Sequence, residues 1–336
     1  MDSWDNNPAY DAALAYQKTA ALTAAIKLDI VTSIGSGAST SDALAEKTAA
    51  SSRGIRILCD FLTVMGLLRK QDGAYGVTEP GKRYLDPSSP AWMGGSIDFY
   101  AAPEVLRLVL DDPVSYVRNG GSPGLAHLAP DHPVWLRFAK AMSPAARLAA
   151  KRTAVYLAHP AGPPAKVLDV AAGHGFYGIE LAKAFPEAVV TAVDWPSVLE
   201  LASANAREAG VAERFRVVPG NAFEIDWGAG FDLVILANFL HHFSPEECAT
   251  ILRKVRSSLS PLGRACTVDF VPDEDRTRVP THATFAFLML ATTPGGDAYT
   301  LSELDEIAKA AGFRGATARP LRPTPQWLVM FETLGA

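Results

Sequence analysis

The chain has 336 residues, 49% of them apolar, with a mean hydropathy of +0.09, a formal net charge of −5 and a pI near 5.8. That is long enough for two domains and a substantial core, and the acidic balance leaves no electrostatic footprint for nucleic acid or an anionic membrane. The longest apolar run, around Phe285 to Thr293, is too short to span a bilayer, and the polar start MDSWDNNPAYD is no secretory signal. Cys59, Cys248 and Cys266 form no C-x-x-C pair, which predicts reduced core thiols in a cytoplasmic protein, with neither disulfides nor a zinc site.

Residues from about Tyr10 to Ile34 read as one amphipathic helix with Ala13, Leu14, Ala21, Ala25 and Leu28 along its stripe. A turn, GSGAST, leads to the short helix SDALAEKTA, and a further helix runs from Ser52 through Leu67. LLRKQDGAYGVTEPGKRYL then reads as a β-hairpin turning at Asp72-Gly73. Helices followed by a hairpin make a winged-helix arrangement, but the helix in the recognition position carries little beyond Arg53 and Arg56 to read base edges. A helix so apolar is buried in its own core or against a partner, so dimerisation is the expectation and DNA binding is not. From Pro90 to Pro160 the chain is helical, interrupted by NGGSPGLAHLAPDHP, and Phe138 and Met142 lie one turn apart on one face. His159-Pro-Ala-Gly-Pro-Pro164 reads as a linker. The expected domains are 1–95, a helical connecting region 96–160, and 161–336.

The third region is organised around KVLDVAAGHGFYGIELAKAFPEAVVTAVD, Lys166 to Asp194. Val167, Leu168 and Val170 form a short apolar run, the turn passes through Gly173-His-Gly175-Phe-Tyr-Gly178, and Ile179, Leu181, Ala182 and Phe185 fall at helical spacing before Pro186. EAVVTAVD follows as a second strand. A G-x-G-x-x-G in a βαβ unit with an acid some 20 residues on suggests a dinucleotide. Asp169, on the strand itself, argues against a pyrophosphate there and for a cationic ligand. S-adenosylmethionine carries a sulfonium and an ammonium, and its ribose diol can donate to Asp194.

Helix 197–209, the strand RFRVVPG, Asn221-Ala-Phe223, the strand FDLVILA, the segment Asn238-Phe-Leu-His241-His242-Phe243 and a helix capped at Ser244 follow in order. The strand RACTVDF reaches Asp269, THATFAFLMLATT is a helix, another starts at Thr300, and two strands near FRGATARP and PQWLVMFE close the region. Alternation of this kind predicts a mostly parallel, doubly wound α/β sheet, whose ligands bind beyond the carboxyl ends of the strands. Asp169, Asp194, Asn221, His241 and Asp269 all fall at or just past such ends. His241 and His242, as neighbours, are expected to point apart, and no carboxylate cluster has the spacing of a magnesium site. His174 is expected to pack near the cofactor.

On these residues the chain resembles the S-adenosylmethionine-dependent O-methyltransferases of the caffeate and hydroxyindole type, over nearly its whole length. The resemblance implies an N-terminal winged-helix dimerisation domain forming a homodimer, a class I Rossmann-like domain, S-adenosyl-L-methionine as cofactor and S-adenosyl-L-homocysteine as product. It aligns the family's Asp-x-Gly-x-Gly-x-Gly loop with Asp169 through Gly175, Ala171 and Ala172 standing at its early glycines. It makes Asp194 with Trp195 the ribose segment, and Gly220, Asn221, Ala222 and Phe223 the adenine segment in place of Gly-Asp-Met-Phe, with the Asn221 carbonyl able to accept from the adenine amino group. By position His241 is the general base, with Ala237 where the family has Lys, Asn238 beside it, and Asp269 orienting the His. The family's second acid falls on Ala298, with Asp297 one residue off. Phe138, Met142, His242, Phe285 and Met289 are implied as acceptor-pocket lining, Phe287 being a further candidate.

The expected activity is O-methylation of a small aromatic or polyketide-like metabolite. Alternatives are N- or C-methylation by proximity, a non-methylating relative that keeps the cofactor, a winged-helix sensor of S-adenosylmethionine, and an NAD oxidoreductase, which Asp169 disfavours.

Overall fold

A computed structural model describes residues 7–333 except 90, 126–127 and 159–161. The last three hold part of the expected linker, which therefore lies outside the described residues. The chain divides into two compact units, Met1–Leu106 and Arg107–Ala336. The region expected over 96–160 is thus shared between the two.

In the first unit the expected long helix is three: α1 (Pro8–Ala13), α2 (Ala15–Lys27) and α3 (Ile30–Gly35). No proline or glycine marks the breaks. Leu14 leaves the helical region, and Asp29 takes the left-handed conformation at φ 47°. The cause is tertiary: in one continuous helix Ile30 would sit about half a turn out of phase with Ala21. The bend lets Ala21, Ala25, Ile30 and Val31 enter one core with Leu44, Ile55 and Leu62. Thr40 caps α4 (Ser41–Thr48) and Ser51 caps α5 (Ser52–Val64), each accepting a backbone N–H of the first turn. The hairpin of β1 (Leu68–Gln71) and β2 (Ala74–Val77) turns as expected at Asp72-Gly73, both at positive φ. Helices α6 (Glu79–Leu85) and α7 (Gly94–Tyr100) follow. Helix α5 buries Ile55, Cys59 and Leu62 but leaves Ile57 and Val64 exposed at 44% and 83%.

Helix α8 (Pro103–Leu110) crosses the division, and α9 (Pro113–Asn119) and α10 (Pro133–Leu157) belong to the second unit. There follow β3 (Lys166–Val170), α11 (Phe176–Ala184), β4 (Val189–Asp194), α12 (Pro196–Glu208), β5 (Phe215–Pro219), β6 (Phe231–Ala237), α13 (Pro245–Ser258), β7 (Leu259–Asp269), α14 (Pro280–Thr292), α15 (Leu301–Ala310), β8 (Gly315–Pro320) and β9 (Trp327–Glu332). The sheet order is β5-β4-β3-β6-β7-β9-β8, parallel except for β9, which runs antiparallel to both neighbours. Each face of the sheet carries its own core. Leu168, Val170, Val234 and Leu236 pack with Ile251, Leu252, Leu304 and Ile307. Val167, Leu233 and Ile235 pack with Ala149, Ala150, Ile179 and Leu181. Both-sided burial is why these strands read as continuous apolar runs.

The glycine-rich loop after α9 has a structural role. Ser122 donates its N–H to Thr293 O (2.9 Å) and its hydroxyl to Ala291 O (2.6 Å), satisfying the last carbonyls around the end of α14. A Cβ on Gly121 or Gly124 would collide with the backbone of Pro294 or Thr292. So the loop fixes the helix that carries Phe285 and Met289.

Candidate active site

The chain leaves β3 toward β4 and β5 on one side, and takes up β6 and β7 on the other. The crevice between β3 and β6 is thus the topological switch point, where ligands bind in such sheets. Two residues just past these strands, Ala171 (φ 54°) and Asn238 (φ 52°), hold the left-handed conformation that non-glycine residues avoid. Their strain lies on both lips of the crevice.

The three glycines of the turn divide their work. A Cβ on Gly178 would press on Val190 (2.7 Å) and Asp169 (2.9 Å), and one on Gly175 would meet Ala202 at 3.0 Å, so both serve close packing. At Gly173 only the Ala171 oxygen comes within 4 Å, at 3.9 Å, so this position borders open space. Asp169, 1% exposed, accepts the Gly178 N–H at 2.8 Å through Oδ2, while its Oδ1 is buried without a partner. Asp194 accepts from Gly173 N–H (2.8 Å) and Trp195 N–H (2.6 Å). Burial pushes the two carboxyls up to about 7 and about 6. Among the described residues neither has a Lys or Arg partner. Two desolvated carboxylates beside an open glycine, one with an orphaned oxygen, fit a cationic, hydroxyl-bearing ligand.

The segment expected to meet the adenine, Gly220 to Phe223, is one tight turn. Phe223 N–H donates to Asn221 Oδ1 (3.0 Å), and Asn221 Nδ2 donates to Glu224 Oε1 (2.9 Å). The Asn221 carbonyl expected to serve a ligand is therefore already used locally, although its second lone pair remains. Lys254 of α13 donates to Ala222 O (2.8 Å) and Ile225 O (2.6 Å) and sits over the Trp227 ring, clamping the turn from behind. Phe223 packs on Phe239 and Phe243, at centroid distances of 6.2 and 5.0 Å, so the turn touches the segment that carries His241.

That segment is a 3₁₀ turn, Leu240–His242, after β6. His241 Nδ1 lies 2.6 Å from Asp269 Oδ1 at the end of β7, and both side chains are buried. The same Asp oxygen accepts the Phe270 N–H at 2.8 Å. Nδ1 thus carries the proton toward the carboxylate, leaving Nε2 as the basic nitrogen. Phe285 meets the His241 ring edge to face at 4.8 Å and stacks on Phe270 at 4.1 Å. The two histidines do not point apart: their rings are 4.2 Å from each other at 57°, because the 3₁₀ turn rotates successive side chains less than a strand does. Burial and the neighbouring His241 push the His242 imidazole well down.

Of the other expected residues, Ala237 ends β6 half-buried, and Asn238 donates to Val268 O and to Tyr177 Oη. His174 is buried against Phe176 and Tyr177, with Nδ1 accepting the Phe176 N–H, inside the turn's own packing. Met289 is buried, while Phe138 and Met142 are half-buried on α10. Phe287 instead faces outward, half-exposed, against Tyr116 of α9. Asp297, one residue from the position of the family's second acid, has its carboxylate held by Arg276 at 3.2 Å. Sequence reading missed Lys254, Arg276, Gly296 and Tyr299. Their contacts join segments far apart in the chain, and no local pattern marks them. Among the described residues no group of His, Cys, Asp and Glu could hold a metal ion. A groove of about 780 Å³ lined by Arg253, Arg256 and Ser260 lies at the start of β7, away from this site.

This strand order, with a switch-point crevice of acids that among the described residues have no cationic partner and a His–Asp pair beyond the next two strands, defines a class I methyltransferase domain. The chain belongs to the O-methyltransferase family. The model of the O-methyltransferase domain matches residues 105–314, and that of the O-methyltransferase dimerisation domain matches 10–87. A solved Nostoc punctiforme structure provisionally described as an O-methyltransferase is 40% identical with a TM-score of 0.91, over 97% of this chain and 99% of that one. Human N-acetylserotonin methyltransferase, solved in complex with S-adenosylmethionine, shares the fold at 21% identity and a TM-score of 0.82, over 99% of this chain and 100% of that one. Among curated relatives, the 3-hydroxy-5-methyl-1-naphthoate 3-O-methyltransferase of Streptomyces sahachiroi is 26% identical over 90% of this chain and 88% of its own. The aclacinomycin 10-hydroxylase of Streptomyces purpurascens is 28% identical over 89% and 82%. The enzyme is S-adenosylmethionine-dependent, with S-adenosylhomocysteine as the product of methyl transfer. Among the described residues no helix is long and apolar enough to cross a membrane.

Proposed function

We propose that this enzyme methylates a hydroxyl of a small aromatic or polyketide-like metabolite, with His241 as general base and Asp269 as its orienting partner. The observation that carries the reading is the buried 2.6 Å His241–Asp269 pair beside the switch-point crevice. Asp169, Ala171, Gly173 and Gly175 would hold the methionine end of the cofactor, Asp194 and Trp195 its ribose, and Gly220 to Phe223 with Ala237 and Asn238 its base. The cofactor supplies an electrophilic sulfonium methyl; the protein supplies position, proton removal and dryness.

Transferring a proton from a phenol of pKa about 10 to an imidazole of about 6.5 costs about 5 kcal/mol. Asp269 reduces that demand by accepting from Nδ1–H and stabilising the imidazolium as Nε2 takes the proton. With Ala298 where the family has an acid, and Asp297 bound to Arg276, the dyad has one carboxylate, which favours acceptors whose hydroxyl is more acidic than phenol. Phe285, Met289 and His242 would line the acceptor side, with Phe138 and Met142 joining them from the connecting region. One relative is named a hydroxylase, and against a non-methylating reaction of that kind the His–Asp pair here supports methyl transfer.

The first unit, whose matched domain is a dimerisation domain, would form a homodimer through residues such as Tyr16, Ile57 and Val64, all exposed. The three cysteines are free and buried, as suits a cytoplasmic enzyme. The test is methyl transfer from labelled S-adenosylmethionine to a panel of hydroxyarenes, the product's methylated atom being assigned by mass fragmentation. Transfer to oxygen that His241→Ala abolishes supports the reading. Transfer to nitrogen or carbon, indifferent to that substitution, refutes it.

A further inference from the structure

The loop leaving Asp269 meets the turn 293–300 and the first turn of α15 at Arg276. This residue takes a left-handed backbone (φ 59°) with no glycine to ease it. Its guanidinium donates to Asp297 Oδ2 (3.2 Å), to the carbonyl of Ala298 (2.7 Å) and, through its other terminal nitrogen, to both oxygens of Glu303. Arginine's planar fork suits such a three-way grip, and a lysine could satisfy only part of it. The gripped turn lies directly under the catalytic segment. A Cβ on Gly296 would collide with the His241 carbonyl, and the Gly296 N–H is fixed by Thr293 Oγ1 at 2.8 Å. Tyr299 donates its hydroxyl to Phe243 O at 2.5 Å. Arg276 thus follows Asp269 in the same loop, its N–H donating to Asp273 O at 2.8 Å, while its side chain holds the turn that supports the backbone of His241.

We propose that Arg276 is a positioning residue that locks the two halves of the His241–Asp269 pair together, doing from behind what a second acid would do at the ring. The functional part of this inference rests on His241 being the base; the geometric part does not. It also accounts for the displaced acid: Asp297 has become a ligand of the lock.

The test uses the full-length enzyme and Arg276→Met. Three quantities are read: kcat and KM for an accepted hydroxyarene, the dissociation constant for S-adenosylhomocysteine, and the far-downfield proton resonance of the short His241 Nδ1–H···Asp269 hydrogen bond. The resonance is assigned by its loss in Asp269→Asn. The expected result is a kcat lower by about tenfold to a hundredfold, as misplacement of a catalytic group by an ångström causes. The resonance should be broadened or lost, with S-adenosylhomocysteine binding within about twofold of the parent. An unchanged resonance with unchanged kcat, whatever the loss of thermal stability, overturns the proposal. If Arg276→Met does not fold, Arg276→Lys is read the same way, with a smaller effect. His241→Ala separates the two claims: full kcat there defeats the base assignment, while the resonance in the Arg276 variant still decides the lock.

Discussion

Asp169→Asn tests the cofactor crevice most directly, because the carboxyl it removes is held in a costly state. In the folded protein the group titrates near 7, against about 3.9 in the unfolded chain. The raised value means that folding favours the protonated form. The contribution is fully present below the unfolded value and is lost as pH rises through the folded one. Across the full window of about three pH units the loss amounts to about 4 kcal/mol, of which roughly 2.5 kcal/mol falls between about pH 5 and about pH 8. Asparagine has no such titration. Its amide oxygen can keep the Gly178 N–H, though its NH₂ lies where Oδ1 now has no partner, at a constant cost of about 1–3 kcal/mol. Urea denaturation of the ligand-free proteins across that range should therefore show the variant gaining about 2.5 kcal/mol relative to the parent from the acid to the alkaline end. Cofactor binding should show the mirror image. In the parent, affinity for S-adenosylmethionine should fall about tenfold from about pH 8 to about pH 6 as Asp169 takes up its proton. In the variant, binding should be weak and change only about twofold over the same interval, through Asp194, which burial pushes up to about 6. Parallel stability curves for the two proteins, or an unchanged pH dependence of binding, would show that Asp169 neither holds the buried proton nor faces the cation.

The remaining expectations are briefer. His241→Ala should lower kcat by about 10²–10⁴ while leaving S-adenosylhomocysteine binding intact by calorimetry, and Asp269→Asn should do much the same by releasing the wrong imidazole tautomer. Gly296→Ala, which thrusts a methyl at the His241 carbonyl, should cost about tenfold or more in kcat with little change in cofactor affinity. Ile57→Glu together with Val64→Asp should shift the protein from dimer to monomer in sedimentation; a dimer undisturbed by two charges on that face would place the interface elsewhere.

The sheet was legible because its strands are buried on both faces, so that polar residues at their ends stand out. Asp194 and Asp269 are the last residues of their strands, and Asp169 lies one residue before the end of β3. The hairpin at Asp72-Gly73 was legible because its turn type demands those residues. The breaks in the first long helix were not. Leu14, Leu28 and Asp29 carry no breaker signal, and the kink exists only to bring Ile30 into the core of another element. The same holds for the site. His241 and Asp269 could be matched to a motif, but the contact of His241 with His242, the grip of Lys254 on the Ala222 and Ile225 carbonyls, and the use of Asp297 by Arg276 are decided by how distant segments meet. The Asn221 carboxamide was matched to a ligand, while a turn bond within its own segment also claims it.

The placement of β9 between β7 and β8 has a consequence for how the enzyme is made. β7 carries Asp269, and its outer edge pairs only with β9, Asp269 itself facing Trp327. While the chain is being synthesised, β3, β4, β5 and β6 can assemble around the glycine turn as they emerge, but β7 must wait with an open hydrogen-bonding edge until α14, α15 and β8 have also left the ribosome. For that interval Asp169 and Asp194, at the ends of β3 and β4, can be in place before Asp269 is fixed at the end of β7. The open edge of β7 is then a place where a nascent chain can pair with another copy of itself, so a chaperone or a slow rate of translation would matter most over that last stretch.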